Sequence, residues 1–430
     1  MLDCIHAGAA DFILKPFRLD VIKTLFLKLH QSNTDYRKHV HDSLNQRIKN
    51  MTLKDTQLSN MLMKIYGPQS SIAKSILEVN NESELQSSLY HWDFSPFGQS
   101  QQDLIQCAYN IFDLLLKLPE LYHLSMTKDQ LYGFLTDLAN VYHDENPYHN
   151  FAHAVDVLQC LFFMLCEMGV LPFTSKRKKG LLLRPSDAFS LLIAAIGHDA
   201  AHPGVNNLFL INSATPLAVL YNDRSVLESL HSMTLFQILR NHHILDHLEP
   251  TIYKEFRKIV VSSILATDMS LHAEYVSKIR DQAIRLNRTD INTLDSASLE
   301  NERVLMCSAL IKCADISNVA RPFRSGARWA ELLVEEFVSQ GDLERELGMP
   351  VLPMNDREKV VLEDSQIGFI RFVALDLFQS VNDMCDISFA VDQMQANLKK
   401  WETRKQTTMQ HDSGVSNLDD EYTTTGIKEK

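Results

Sequence analysis

The sequence predicts an all-α fold, and three observations carry that expectation. Glycine (14) and proline (13) are scarce in 430 residues, together about half their average usage, and long helices tolerate both badly. From Trp92 to Trp401 apolar residues recur at helical spacing with only short polar breaks. The stretches densest in histidine and aspartate stand where apolar helical runs begin or end.

The length suits one large domain with a smaller one, or two or three ordinary domains. With 45% hydrophobic and 22% charged residues the composition is that of a soluble globular chain. A net charge of −12 and a pI near 5.8 leave no basic face, which excludes a nucleic-acid polymer as partner. An acidic protein that handles phosphate needs a local source of positive charge, and a metal ion is the natural one. The one basic run, Lys176 to Lys179, reads as a solvated loop. Seven scattered cysteines without a Cys-x-x-Cys pair read as buried free thiols in a reducing compartment. The most apolar stretch, Val157 to Val170, is broken by Gln159 and Glu167 and is too short to cross a bilayer. A cytoplasmic protein without membrane contact is the expectation.

Taken in order, residues 1–30 offer the short apolar strand Phe12-Ile13-Leu14, then Lys15-Pro16 and a helix with Val21, Ile22, Leu25, Phe26 and Leu29 on one face. That is too little to enclose a core. Residues 31–80 are polar with apolar residues at roughly heptad spacing, from Leu44 to Ile65. They read as a linker helix, either a homodimerising one or one packed on the core. Residues 81–402 form the helical domain, and residues 403–430, poor in large apolar residues, read as a disordered tail.

Four segments carry metal-ligand residue types. His149 and His153, four apart, enter an apolar helix and are expected to share one face. His198, Asp199 and His202 follow the apolar run Leu191 to Ile196, with Pro203-Gly204 stopping the helix. Thr267-Asp268-Met269 ends the helix Ile259 to Ala266. Asp315 closes a helix whose core face is Val304, Cys307, Ile311 and Ala314. A lone pair of histidines four apart is usually chance, and a carboxylate at a helix end often just accepts a hydrogen bond. Several helices ending this way point to one polar centre inside a bundle. Imidazole with carboxylate suits zinc, and carboxylate with water suits magnesium or manganese.

In order, the motifs YHNFAHAVDV, HDAAHPG, YNDRSVLE, ATDMS, KCADISN, EEFVSQGD and SQIGFI resemble the class I cyclic-nucleotide phosphodiesterases, HD-type metal phosphohydrolases, over about 300 residues from near Trp92 to near Trp401. The resemblance implies a multi-helix catalytic domain that hydrolyses a 3′,5′-cyclic nucleotide, cAMP favoured, to the 5′-monophosphate by a metal-bridged hydroxide. It implies two divalent metals, Zn2+ and Mg2+ or Mn2+. His153, His198, Asp199 and Asp315 match the zinc ligands, with Asp199 bridging. His202, Glu228 and Thr267 match residues that order water at the second metal, and His149 matches the acid for the leaving oxygen. Gln366 and Asn318 match the polar contacts to the base, and Phe369 and Leu333 its apolar clamps. Tyr148, Met269 and Met354 are expected to line the same pocket. Two positions depart from the family: Ala201, where an acidic residue is common, and Lys312, where several members carry histidine. Neither removes a ligand.

At the other end AGAADFILKPF resembles the last third of a response-regulator receiver domain, with Lys15 at the phosphoryl-contacting lysine. A receiver joined to this catalytic domain resembles the response-regulator cAMP phosphodiesterases of social amoebae, members of two-component systems. It implies a histidine-phosphotransfer protein as partner of a full-length form only. The acidic pair and acceptor aspartate are missing, so a fragment or an incompletely read gene is the expectation. Two other readings compete: an HD-type phosphohydrolase of another nucleotide, and a non-catalytic cyclic-nucleotide sensor. Gln366 with its aromatic clamp weighs against the first. A leaving-group acid, which a binder does not need, weighs against the second.

Overall fold

The structure, a computed structural model, describes residues 82–421 apart from 125 and 175–181, with side chains placed from 85 to 407 outside those gaps. The receiver-like piece 1–30, the linker 31–80 and the basic run 176–179 lie outside the described residues. Among the described residues there is no strand. The α-helices in order are α1 (Glu82–Ser88), α2 (Gln101–Leu116), α3 (Lys128–Val141), α4 (Phe151–Glu167), α5 (Pro185–Gly197), α6 (Asn207–Asn212), α7 (Pro216–Leu220) and α8 (Val226–Asn241). They continue as α9 (Pro250–Ala266), α10 (His272–Arg288), α11 (Ser296–Asp315), α12 (Phe323–Glu346), α13 (Leu362–Phe369), α14 (Leu375–Asn382) and α15 (Ser388–Glu421).

Local chemistry sets where these helices start. Ser100 and Asp103 form a reciprocal capping box at α2, as Thr127 and Gln130 do at α3. Pro185 and Pro250 open α5 and α9, where a missing N–H costs nothing. A five-residue π-helix, Ile370–Ala374, joins α13 to α14 and shifts the register just after Phe369.

Helices α4 and α5 are apolar nearly all round and pack on each other, with α2, α9 and α11 wrapped about them. Five of the six described cysteines are buried, and there is no disulfide among the described residues. Any polar group in this core needs a partner. Asp156 and Gln159 of α4 find it in Arg321, fully buried, whose guanidinium reaches Asp156 Oδ1 at 2.8 Å, Gln159 Oε1 at 2.7 Å and the Trp92 carbonyl at 3.0 Å. It also lies 4.6 Å over the Trp92 ring. Arg321→Met strands the Asp156 carboxylate and is expected to cost about 3–5 kcal/mol in urea unfolding. A loss below about 1 kcal/mol, the range of an exposed pair, would contradict this account.

Helix α15 runs on to Glu421, into the stretch read from sequence as a tail without structure. That reading weighed apolar residues alone. Ion pairs hold the helix past Trp401: Arg404 Nε lies 2.9 Å from Glu363, Lys405 pairs with Asp364, and Arg371 pairs with Glu402.

Candidate active site

Three helices, α5, α9 and α11, end at one place, and α4 begins there. Helix C-termini carry partial negative charge and favour a cation. Asn150 caps α4, its Oδ1 accepting from the amides of Ala152 and His153 at 3.0 and 3.2 Å. The helix therefore starts at Phe151, and only His153 lies on it. His149 precedes the cap, so the expected shared face is replaced by two stations, with ring centroids 5.9 Å apart.

His153, His198, Asp199 and Asp315 come together with one ligand atom each. His153 Nε2 lies 3.6 Å from Asp199 Oδ2 and 3.4 Å from Asp315 Oδ1; His198 Nε2 lies 3.1 and 3.3 Å from the same two oxygens. Tetrahedral ligands bound to zinc at about 2.0–2.2 Å stand about 3.4 Å apart. His153 Nε2 and Asp199 Oδ2 are buried and have no hydrogen-bond partner, a costly state for polar atoms unless they serve an ion. His198 Nδ1 is held by the Ala195 carbonyl at 2.8 Å, which aims Nε2 into the cluster. The donor set fits a divalent cation.

The electrostatics agree. Burial opposes charge on His198, yet Asp199 and Asp315 hold its imidazole well above the usual range. Burial opposes charge on the carboxylates too, but the histidines hold both below theirs. A divalent cation meets the same demand for positive charge and releases the proton.

Asp199 faces two ways. While Oδ2 belongs to the cluster, Oδ1 lies 3.6 Å from His231 Nε2, whose Nδ1 bonds the Ala200 carbonyl at 2.8 Å. Glu228, also on α8, is buried, and Asn207 Nδ2 donates to both its oxygens at 3.2 and 3.0 Å. Burial and the Asp268 charge push its carboxyl up to about 7. Thr267 caps the end of α9 and is buried. His231 was missed from sequence, although it stands one helical turn beyond Glu228 on α8, the spacing that would have found it.

A second group joins His149, His202 and Glu336. Here the donors are already spent. Glu336 Oε2 accepts from the amides of Tyr148 and His149 at 2.9 and 3.0 Å, and Oε1 contacts His149 Nδ1. His202 stacks on His149 at 4.0 Å, its Nδ1 accepting from the Gly204 amide. Burial would lower the His149 pKa, but Glu336 overrides it and raises the value to about 9. Burial and the neighbouring His149 charge hold His202 well below its usual range. Glu336 thus favours the charged form of His149 and fixes its Nδ1. Glu336 lay within the EEFVSQGD motif, but sequence reasoning gave it no role.

The loop carrying His202 is tightly held. Asn146 Nδ2 donates to the carbonyls of His149 and His202 at 3.0 and 2.8 Å. A Cβ at Gly204 would stand 2.6 Å from Asn146 Oδ1, and its φ of +78° already demands glycine. Ala201, where the family tends to be acidic, adopts a left-handed φ of 64° in this turn.

Tyr148 is buried, 4.5 Å from the His153 ring and 5.3 Å from Trp329 of α12. Leu333, half-buried, lies between Trp329 and Glu336 on the same face of α12. Asn318, three residues past Asp315, and Gln366 of α13 are buried; Phe369, one turn on from Gln366, is partly buried. Met269 and Met354 are 44% and 49% exposed, so neither belongs to the core. A separate cavity of about 660 Å³ between α8 and α9 is lined by Met233, Phe236, Tyr253 and Arg257 and contains none of these residues.

The pattern of the 3′5′-cyclic nucleotide phosphodiesterase family matches residues 148–394. The chain is 36% identical to the 3′,5′-cyclic-nucleotide phosphodiesterase regA of Dictyostelium discoideum over 72% of its own length and 37% of that protein. It is 37% identical to the human high affinity cGMP-specific 3′,5′-cyclic phosphodiesterase 9A over 56% of its length and 38% of that protein. The crystal structure of the phosphodiesterase domain of the RhoPDE fusion protein from Salpingoeca rosetta is similar at a TM-score of 0.66 and 30% identity, covering 77% of this chain and all of that one. The chain thus spans little more than a third of the curated relatives' length. Among the described residues no helix is long and apolar enough to cross a membrane. With the motif order, the helical bundle and the His/Asp centre in agreement, the chain belongs to the 3′5′-cyclic nucleotide phosphodiesterase family.

Proposed function

We propose that this chain hydrolyses a 3′,5′-cyclic nucleotide, cAMP in preference to cGMP, to its 5′-monophosphate in the cytoplasm. One observation carries the reading: unpartnered ligand atoms of a His/Asp cluster stand beside a histidine held by Glu336. His153, His198, Asp199 and Asp315 would hold Zn2+. Asp199 would also serve a second divalent cation, Mg2+ or Mn2+, with His202, Glu228 and Thr267 and, from its position, His231 as outer partners. Such ions neutralise the phosphodiester, stabilise the charge that grows on it and make water a nucleophile near neutral pH.

The protein's own groups do the rest. As a water oxygen bonds to phosphorus the P–O3′ bond breaks, and His149 Nε2 gives its proton to O3′. Glu336 keeps that proton available by holding Nδ1. Gln366 can donate to and accept from a purine edge, with Asn318 as its polar partner. Phe369 and Leu333 clamp the ring, and Tyr148, Met269 and Met354 close the pocket.

Glu336→Gln removes the charge that raises the His149 pKa to about 9. His149 then loses its proton at lower pH, so the alkaline limb of the rate profile is expected to move down by about one unit or more. An unmoved limb would show that Glu336 does not tune the acid.

The preference for cAMP rests on Asn318 beside Asp315, which matches cAMP-preferring members, and on the resemblance to the amoebal enzymes; the likeness to a protein named cGMP-specific marks the alternative. Turnover of cAMP and cGMP by the purified chain, with and without added magnesium, tests both points. A kcat/KM for cGMP equal to or above that for cAMP overturns the preference. No turnover of either overturns the function.

A further inference from the structure

Among the described residues Lys312 is the buried lysine, 2% exposed, on α11 three positions before Asp315. Its Nζ donates to the carbonyl of Ala266, the last residue of α9, at 2.8 Å, and lies 5.5 Å over the Tyr275 ring of α10. Burying an ammonium costs several kcal/mol unless charges and hydrogen bonds offset it. The charges around it are Asp315, Asp268 and Glu228, and burial still lowers its pKa.

The contact continues beyond Ala266. Thr267 and Asp268 follow directly, and Asp268 Oδ2 accepts from Ser225 Oγ at 2.7 Å. Ser225 is the residue before α8, at a left-handed φ of 40° that needs such a tether. Three and six residues on stand Glu228 and His231. An unbroken run of contacts thus leads from the helix of Asp315, through Lys312 and the end of α9, to the start of α8, whose His231 faces Asp199.

We propose that Lys312 is a positioning residue: its buried ammonium locks the end of α9 and, through Asp268 and Ser225, the start of α8, so setting Thr267, Glu228 and His231 for the second cation beside Asp199. The inference rests on the two-cation reading above.

The test measures zinc content by elemental analysis and the melting temperature during magnesium titration. It uses the full chain and the variants Lys312→Met, Lys312→Arg and Ser225→Ala. Lys312→Met is expected to keep zinc at the wild-type ratio while the magnesium concentration for half-maximal thermal shift rises about tenfold or more, as for loss of an outer partner of a metal site. Lys312→Arg, which keeps a cation and donors, falls between. Ser225→Ala, which does not touch the lysine, shifts the titration the same way. A wild-type magnesium titration in Lys312→Met overturns the proposal, as does loss of zinc in Lys312→Arg. If Lys312→Met does not fold, wild-type titrations in both other variants overturn it. A wild-type protein without any magnesium-dependent shift overturns the two-cation reading itself, which separates the two failures.

Discussion

Asp199→Ala is expected to lower turnover by about a thousandfold or more, because metal stabilisation of several kcal/mol is at stake and each 1.4 kcal/mol is a factor of ten. No other residue of the site faces both ways: one oxygen lies 3.1 Å from His198 Nε2 and the other 3.6 Å from His231 Nε2. On the function proposed above, alanine there removes a zinc ligand and the link to the second cation together. Elemental analysis should show less of both metals, while circular dichroism stays helical because the helices around the site are held by their own apolar packing. Asp315→Ala serves as the control, since its loss should deplete zinc first. Activity that survived in Asp199→Ala, or in the wild type after thorough chelation, would end the two-metal reading.

His149→Ala is expected to lose about 10²–10⁴ in rate with metals and fold kept, the range for a general acid. The geometry separates it from the ligands: its Nδ1 is committed to Glu336, and Asn150 caps the helix behind it. The loss should shrink on an activated nitrophenyl phosphodiester, whose leaving group needs little protonation. An equal loss on both substrates would assign His149 another task. Stopped-time assays on the two substrates, with metal content measured on the same samples, decide it.

Much of the site was legible because its ligands sit at helix ends, and helix ends are readable. The apolar run into Gly197, the one into Ala266 and the one into Asp315 each stop at a polar residue, and local periodicity is enough to see that. The capping asparagine was harder. His149 and His153 have the spacing of one helical face, and only the side chain of Asn150, accepting two amides, decides that the helix begins between them. The ion pairs that hold α15 just past Trp401 were unreadable for a related reason: Glu363 and Asp364 lie about forty positions back in the chain, where no local pattern reaches.

The sequence by itself determined the helical class, the residue types of the metal cluster and the family, because hydrophobic period and motif order are properties of neighbours along the chain. The tertiary structure alone decided which atoms meet. Glu336 stands 187 positions from the histidine it holds, Arg321 stands 165 from Asp156, and Lys312 stands 46 from the carbonyl it caps. Such pairs depend on how helices cross and how far each is rotated about its axis. Packing of the whole core sets those quantities, and no single segment encodes them.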